Sequence, residues 1–459
     1  MRPIDLSLRG QAAAIAAGDA DPSALLDEAL ARIEERNPAL NAIVETFPER
    51  SREMLASAPD GPLRGVPVVI KDEWPLPWRA QRFGSAEMLT PTVPAESGPF
   101  RALRDAGAVI VGVGNMEELG AGSTGAISVY GPARNPWDPE RCPGGSSSGP
   151  AASVSARLVG GAVGADGLGS VRYPAAYCGL TGLKPTFARS AMDGHHAADT
   201  TTTIVSGPLC LDAADCRLLS SVLFGESLGE GVASGLRIGV VRDVPSEDVD
   251  PEVGEACEGA IDLLRAETAG TIREVALPGL EEATLAAVLI ANSDGLGEAT
   301  PERLNRLNPE ISLINRAVLK YRMLIPSVAV SHAHRIRTLT RRRLAAVFED
   351  VDVLAWPTVP APAPPLEAPI VELPSGTETA DRANVRGGAL ANLTGTPAIS
   401  VPVGLSSAGL PIGLQLGAAW GRDELLLDAA EAVERANGRR WVDARPPLAD
   451  AEPAAADGC

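Results

Sequence analysis

Residues 142–176 read CPGGSSSGPAASVSARLVGGAVGADGLGSVRYPAA, and this stretch, rich in Gly, Ser and Ala, decides the predicted fold. Pro150 is well placed as the first residue of an Ala-rich helix that runs through Leu158. The small apolar run Gly160–Gly164 predicts a strand, and a second glycine-rich turn, GADGLGSVR, follows it. Strands that alternate with helices through such turns indicate an α/β sheet covered on both faces, with ligands bound near the strand ends.

The alternation of predicted strands and helices continues in both directions along the chain. Short apolar runs predict strands at Val66–Ile70, Ala108–Val113, Gly235–Val241, Ile272–Ala276, Val351–Trp356, Pro397–Val403 and Ile412–Leu416. Amphipathic patterns predict helices at Leu6–Ala17, from Pro22 onward, at Met116–Gly120 with Asn115 as its cap, at Pro251–Thr268 and at Glu424–Asn437, and residues 279–350 are mostly helical.

We expect one domain over residues 1–445. It comprises N-terminal helices (1–60), a catalytic core (61–225), a variable, mostly helical region (226–350) and a C-terminal part of the core (351–445). The segment 446–459, rich in Pro, Ala and Asp, is predicted to be a disordered tail.

Composition excludes several classes of function. A formal net charge of -19 with 3% aromatic residues argues against direct binding of nucleic acid. The six cysteines form no CxxC pair and no dense disulfide framework, the start lacks a secretory apolar segment, and no apolar run is long enough to span a membrane. We therefore expect a soluble, cytoplasmic protein without a membrane partner.

Lys71 is the first candidate for chemistry, because it ends the apolar run Val66–Ile70. Burial disfavours the charged form of a lysine, and a neutral amine can act as a base. The alternative is a lysine that reaches solvent or pairs with Asp72 or Glu73. Lysine is rare in this chain, which otherwise uses arginine: the three lysines are Lys71, Lys184 and Lys320.

Two glycine-rich turns carry serines. Ser146–Ser148 stand at a predicted helix start, where the helix dipole favours developing negative charge, although serines there often serve only as caps. Ser170 ends the second turn, where glycines can expose successive backbone N–H groups as an oxyanion hole. Neither turn has the spacing of a phosphate-binding loop.

The four histidines do not suggest a Ser-His-Asp triad. His195 and His196 fall in a polar loop, and His332 and His334 fall in the helical region, so we predict all four to be surface residues. No Glu or Cys at ligand spacing accompanies them, and we predict no metal and no cofactor. The two serine turns and the strand-end lysine indicate a hydroxyl nucleophile driven by a lysine.

The chain resembles the amidase signature family over most of its length. The motifs that carry the resemblance are GVPVVIKD, Asn135-Pro-Trp-Asp138, PGGSS, GSVRYPAAYCGLTGLKPT, PTVPAPAPP and the segment from Asn392 that reads NLTGTPAISVPV. The resemblance implies an α/β/α sandwich with a large mixed sheet, and a serine amidase that hydrolyses a small or medium linear carboxamide. It also suggests a homodimer.

The resemblance assigns roles residue by residue. It implies that Ser170 is the nucleophile, that Ser146 is a bridging serine on a cis peptide bond, and that Lys71 is the base. Backbone N–H groups of Gly167, Leu168, Gly169 and Ser170 would form the oxyanion hole. Supporting residues would be Ser147, Asp166 and Arg172, and Arg337 matches a position that can hold a substrate carboxylate, although a helix-surface arginine is an equal interpretation.

Two departures from the family pattern bear on function. Leu168 stands where the family has glycine, so we expect Gly167 to adopt the unusual dihedral and the substrate range to shift. Val385 falls where the glutaminase component of the tRNA-dependent amidotransferase has a glutamine-binding aspartate, which favours a stand-alone amidase. The alternatives are a glutaminase-type component of an amidotransferase with several subunits and a degenerate, non-catalytic member of the family.

Overall fold

The fold is described from a computed structural model that covers residues 2–86, 93–195, 201–243, 246–277, 279–294, 302, 305, 310–438 and 446–450. The strands are β1 Ile43–Thr46, β2 Pro67–Lys71, β3 Val109–Gly114, β4 Gly161–Asp166, β5 Thr181–Lys184, β6 Val205–Cys210, β7 Arg237–Val241, β8 Thr271–Val275, β9 Val353–Pro357, β10 Ile370–Leu373, β11 Gly376–Thr379, β12 Ala398–Leu405 and β13 Pro411–Ala418. The helices are α1 Leu8–Ala17, α2 Pro22–Leu40, α3 Pro48–Ala56, α4 Gly98–Asp105, α5 Ser148–Ser155, α6 Arg172–Cys178, α7 Ala213–Phe224, α8 Pro251–Glu267, α9 Leu280–Asp294, α10 Leu313–Arg322, α11 Ser327–Asp350, α12 Ala380–Thr394, α13 Asp423–Ala436 and α14 Pro447–Asp450.

Within the described residues, eleven strands form one mixed sheet in the order β1-β3-β2-β4-β6-β5-β12-β13-β9-β7-β8, and β10 and β11 form a separate hairpin. Strand β2 lies between β3 and β4 and is parallel to both. Every residue of β2 is buried, which is why its sequence is a continuous apolar run rather than an alternating one.

Helices cover both faces of this sheet. One apolar cluster includes Phe100, Leu219 and Leu426 from α4, α7 and α13, and a second includes Leu26 and Val154 from α2 and α5. A third cluster joins α9, α11 and α12. The predicted sheet with helices on both faces is thus confirmed. Among the described helices, none is long and apolar enough to cross a membrane.

Two local predictions were wrong. In place of the predicted helix Met116–Gly120 there is a 3-10 turn at Glu118–Gly120, which Leu119 interrupts with a φ of 57°. The Asn115 side chain does not cap a helix: its Oδ1 accepts from the N–H of Met116 and the hydroxyl of Ser128, and its Nδ2 donates to the carbonyls of Asn41 and Gly131, so that it joins separate loops.

The predicted tail also begins with regular structure. Pro447–Asp450 forms α14, and Leu448 packs against the apolar cluster of α2 and α5. The prediction of disorder at 451–459 lies outside the described residues. The division of residues 1–445 into four parts remains a prediction.

Candidate active site

The parallel strands β2 and β4 bring Lys71 and Asp166 to the same edge of the sheet, since each is the last residue of its strand. A cavity of about 510 Å³ opens there. Its lining includes the three predicted catalytic residues and two further predicted oxyanion donors: Lys71, Ser146, Ser170, Gly167 and Leu168.

Lys71 is 1% exposed, and its ammonium contacts three groups. Its Nζ donates to Ser146 Oγ at 2.9 Å and to the carbonyl of Ala165 at 3.4 Å. It also lies 2.5 Å from Oε2 of Glu73. The pairing with a neighbouring carboxylate is therefore present, and the lysine also touches a serine in a cavity, while its role as a base remains a prediction.

The loop before α5 positions Ser146. The Gly145–Ser146 peptide bond is cis, as the family resemblance implies. The next residue, Ser147, connects the two serine turns: its N–H donates to the carbonyl of Ser170 at 3.2 Å, and its Oγ donates to the carbonyl of Ala165 at 3.3 Å. Ser147 thus holds the loop of Ser146 next to the turn that ends at Ser170.

The turn that precedes Ser170 has its left-handed residue at Gly169, with a φ of 126°. The expectation that Gly167 adopts the unusual dihedral was therefore wrong. A Cβ on Gly169 would lie 2.1 Å from the ring of Tyr173, so glycine is required there by both conformation and space. Leu168 keeps an ordinary dihedral, and its side chain lines the cavity.

The four predicted oxyanion donors are not equivalent. The N–H of Gly169 donates to Oδ1 of Asp166 at 2.7 Å and is thereby occupied. Among the described residues, the N–H groups of Gly167, Leu168 and Ser170 have no acceptor. These three remain available to an oxyanion in the cavity.

A buried ion pair supports this turn. Both Asp166 and Arg172 are fully buried, with Arg172 Nη2 3.0 Å from Asp166 Oδ1. Burial alone would raise the pKa of Asp166, but the Arg172 guanidinium and a hydrogen bond from Asn392 lower it to about 2. Arg172 also donates to Gln415 at 2.7 Å, so the turn is tied to β13.

Sequence reasoning missed the pair Glu73 and His195. His195 was predicted to be a surface residue, but its side chain is 1% exposed and its Nε2 lies 2.6 Å from Oε1 of Glu73. The prediction was wrong because the loop folds back between the rings of Trp74 and Phe83. His196 lies outside the described residues, whereas His332 and His334 are exposed on α11 as predicted.

Glu73 therefore lies between Lys71 and a histidine. Burial would raise its pKa, but the charge of Lys71 and the hydrogen bond from His195 outweigh burial and lower the pKa to about 2. The sequence held half of this signal, because Glu73 follows Lys71 by two positions and the turn after β2, closed by the bond from Trp74 N–H to the Lys71 carbonyl, keeps the two side chains close together. No local pattern indicated His195, which is 122 positions away from Glu73.

Arg337 is not among the residues that line the cavity. It is 7% exposed, so the helix-surface interpretation was wrong, and its guanidinium donates to Oγ1 and the carbonyl of Thr202 at 2.8 and 2.5 Å. Its substrate-binding role remains a prediction without a contact to the cavity. Val385 does line the cavity. In the part of the chain that the structure describes, no three His, Cys, Asp or Glu side chains are grouped as a metal site.

Comparison with known proteins shows similarity over nearly the whole chain. The amidase family model matches residues 24–427. A glutamyl-tRNA(Gln) amidotransferase component from Methylococcus capsulatus is 33% identical over 454 residues, covering 89% of this chain and 92% of that protein. A crystal structure of an amidase has a TM-score of 0.87 and 30% identity, covering 94% of this chain and 99% of that one. A 6-aminohexanoate cyclic dimer hydrolase in complex with its substrate has a TM-score of 0.84 and 26% identity, covering 97% and 100%.

The chain therefore belongs to the amidase family, whose model and solved relatives span nearly all of it.

Proposed function

We propose that this protein hydrolyses the C–N bond of a linear carboxamide through an acyl-enzyme on Ser170. The observation that carries the proposal is the placement of Lys71, Ser146 and Ser170 around one cavity, with Lys71 Nζ 2.9 Å from Ser146 Oγ. A serine needs an adjacent base to become a nucleophile, and a lysine that reaches it through a second hydroxyl can serve as that base.

In the proposed reaction, the hydroxyl of Ser146 relays the proton of Ser170 to the lysine. Ser170 Oγ bonds to the carbonyl carbon, its proton passes to Ser146 Oγ, and the proton of Ser146 passes to Lys71 Nζ in its neutral form. The same path in reverse protonates the nitrogen as the C–N bond breaks. The oxygen of a water molecule then bonds to the acyl carbon while a proton of that water passes along the same path to Lys71. The proton returns to Ser170 Oγ as the ester C–O bond breaks and the carboxylic acid leaves as the carboxylate.

Charge on the tetrahedral oxygen would be stabilised by the three unoccupied N–H groups of the turn, those of Gly167, Leu168 and Ser170. Each oxyanion donor of this kind contributes roughly 3–4 kcal/mol to the transition state. Asp166 and Arg172 do not touch the substrate in this scheme; they keep the turn in shape through buried hydrogen bonds.

Our leading candidate is an amidase that acts on its own in the cytoplasm on a small or medium amide. The residue that favours it is Val385, which contributes an apolar side chain to the cavity where the amidotransferase branch is expected to have an aspartate. A homodimer is compatible with the proposal and is not required by it.

The second candidate is a glutaminase-type component that supplies ammonia to a partner. The curated relatives favour it, because proteins named as components of a glutamyl-tRNA(Gln) amidotransferase match this chain at 33% identity over at least 92% of their length. Glutamine would then be the best substrate, and partner chains would co-purify.

A fluorophosphonate probe with mass spectrometry tests the shared chemistry. We expect the probe to modify Ser170, and Ser170→Ala to lose both labelling and amide hydrolysis with an unchanged thermal unfolding midpoint. Ser220→Ala, which changes a buried serine of α7 outside the cavity, is the control and should keep both. An unlabelled wild-type protein would instead support a non-catalytic role.

An amide screen separates the two candidates. Release of ammonia or amine from many amides, with glutamine no better than the rest, supports the stand-alone enzyme. A strong preference for glutamine, together with a co-purifying partner, supports the amidotransferase component. The mass of the trapped acyl group then identifies the acyl half of the substrate.

A further inference from the structure

The cavity has a second polar feature away from the serines, at the end of α10. Arg322 is the last residue of that helix, and its side chain lines the cavity together with Val288 and Ala291 of α9 and Val318 of α10. Arg322 is half-buried. This part of the wall is thus apolar apart from one guanidinium and the amide that holds it.

That amide belongs to Asn292. Arg322 Nε donates to Asn292 Oδ1 at 2.7 Å, and Asn292 Nδ2 donates to the carbonyl of Val288 at 2.8 Å. The second bond fixes which end of the amide faces the arginine. Since Nε is occupied, the two terminal nitrogens of the guanidinium remain for a ligand, and that pair matches the two oxygens of a carboxylate.

No acidic side chain neutralises Arg322 within the described residues. Burial lowers its pKa, and no carboxylate of the described part of the chain acts in the opposite direction. A guanidinium nevertheless stays charged in proteins, so its positive charge faces the cavity without a counter-ion from these residues.

Other charges of the cavity wall are already satisfied. Arg382 is paired with Glu378 at 3.4 Å and its side chain is 82% exposed. Asp381 accepts hydrogen bonds from the N–H and the hydroxyl of Ser123 at 2.6 and 2.7 Å. Near the serines, the lysine, glutamate and histidine contact one another. Among the residues with described positions, the lysine and Arg382 each contact a glutamate, whereas Arg322 is a cation of the cavity wall without an acidic partner.

We propose that Arg322 binds a carboxylate of the substrate, so that the amide hydrolysed here carries an anionic group separated from its scissile bond by an apolar segment. The proposal rests on the proposed function of Ser170. It adds a substrate class: half-amides of dicarboxylic acids if the acyl half carries the charge, and N-acyl amino acids if the amine half carries it.

The test compares matched substrates that differ only at the far end. Succinamic, glutaramic and adipamic acids are paired with butanamide, pentanamide and hexanamide, and N-acyl amino acids are paired with N-acyl alkylamines. We expect one anionic series to have a kcat/KM on the order of 10- to 100-fold above its neutral series, as one charge-assisted interaction allows.

Arg322→Gln should abolish that preference by raising KM for the anionic series while kcat and the neutral series change little. Arg322→Lys should keep part of it, and Asn292→Ala should weaken it less than Arg322→Gln. Lys320→Gln is the matched control, since it removes the same charge from an exposed position on the same helix. It should leave the preference intact.

Two results would overturn the inference: equal kcat/KM for anionic and neutral substrates in the wild type, or a preference that survives in Arg322→Gln. Labelling of Ser170 by a neutral sulfonyl fluoride distinguishes this failure from failure of the proposed function. If Ser170 is labelled but the wild type shows no preference, only the proposed substrate class is refuted. If the wild type shows neither labelling nor hydrolysis, the proposed function itself is refuted. Equal labelling rates in all variants show that the fold is intact.

Discussion

Lys71 and Lys184 are both buried, and each is the last residue of a strand, but their surroundings differ. Lys184 Nζ donates to the carbonyl of Pro185 at 2.6 Å. Burial lowers its pKa to about 7, against the attraction of Asp166. Lys71 instead contacts the carboxylate of Glu73 and the hydroxyl of a serine at the cavity wall.

The comparison separates two criteria for a catalytic base. A pKa near 7 suits a base that works at neutral pH, and Lys184 meets that criterion. Lys184 does not line the cavity, however, and among its described contacts there is no hydroxyl that could carry a proton to a substrate. A base must first lie within hydrogen-bond reach of the proton that it removes, and its pKa matters only after that. The geometry therefore favours Lys71.

The largest effect is expected for Lys71→Met. Removal of a general base costs typically 10²–10⁴-fold, so kcat for amide hydrolysis should fall by at least about 100-fold. Steady-state kinetics with circular dichroism as a fold check measures this. A kcat within about 10-fold of wild type would mean that another group, Lys184 included, is the base.

Lys184→Met should leave kcat within a few-fold of wild type and change the pH dependence of stability. The folded pKa of about 7 lies below the ordinary value of 10.5, so between these values the unfolded chain binds a proton that the folded chain does not. The free energy of unfolding of the wild type should therefore rise with pH across this interval.

From about pH 7 to pH 9 this contribution amounts to about 2 kcal/mol, and Lys184→Met should lack it. Urea unfolding at several pH values provides the measurement. If wild type and variant have parallel pH profiles, Lys184 is not held neutral in the fold, and the contrast between the two lysines fails.

Glu73→Gln tests what distinguishes the surroundings of Lys71. A carboxylate at 2.5 Å stabilises the ammonium, which is not a base, so its removal should move the acidic limb of the kcat/KM profile to lower pH. Glu45→Gln, which changes a carboxylate paired with Arg79 rather than with the lysine, is the control and should leave the limb in place. If the acidic limb of the kcat/KM profile stays in place in both variants, Glu73 does not influence the protonation of the base.

The smallest effect is expected for Leu168→Gly, which changes the turn that precedes Ser170. The backbone N–H remains, so kcat for small amides should change little. The lost side chain enlarges the cavity, and kcat/KM should shift roughly 10-fold toward bulkier acyl groups. A substrate profile identical to wild type would show that Leu168 does not shape the acyl site.

Much of the fold could be predicted because its signals are local. The apolar runs of β2 and β3, and Pro150 in the first turn of α5, lie within a few residues of where the pattern indicated. The helix predicted after Asn115 failed because that side chain bonds to loops at Asn41 and Gly131, and such long-range partners leave no trace in a short window.

The sequence by itself determined the chemistry-bearing residues of one end of the cavity: a lysine that ends an apolar strand and two serines in glycine-rich turns. It did not distinguish Lys71 from Lys184 by burial, since both end strands of the same sheet. Only the tertiary structure decided which lysine meets a hydroxyl in a cavity, that His195 contacts Glu73, and that Arg322 faces the same space. These facts depend on contacts across as many as 122 positions of chain, which only the packed fold brings together.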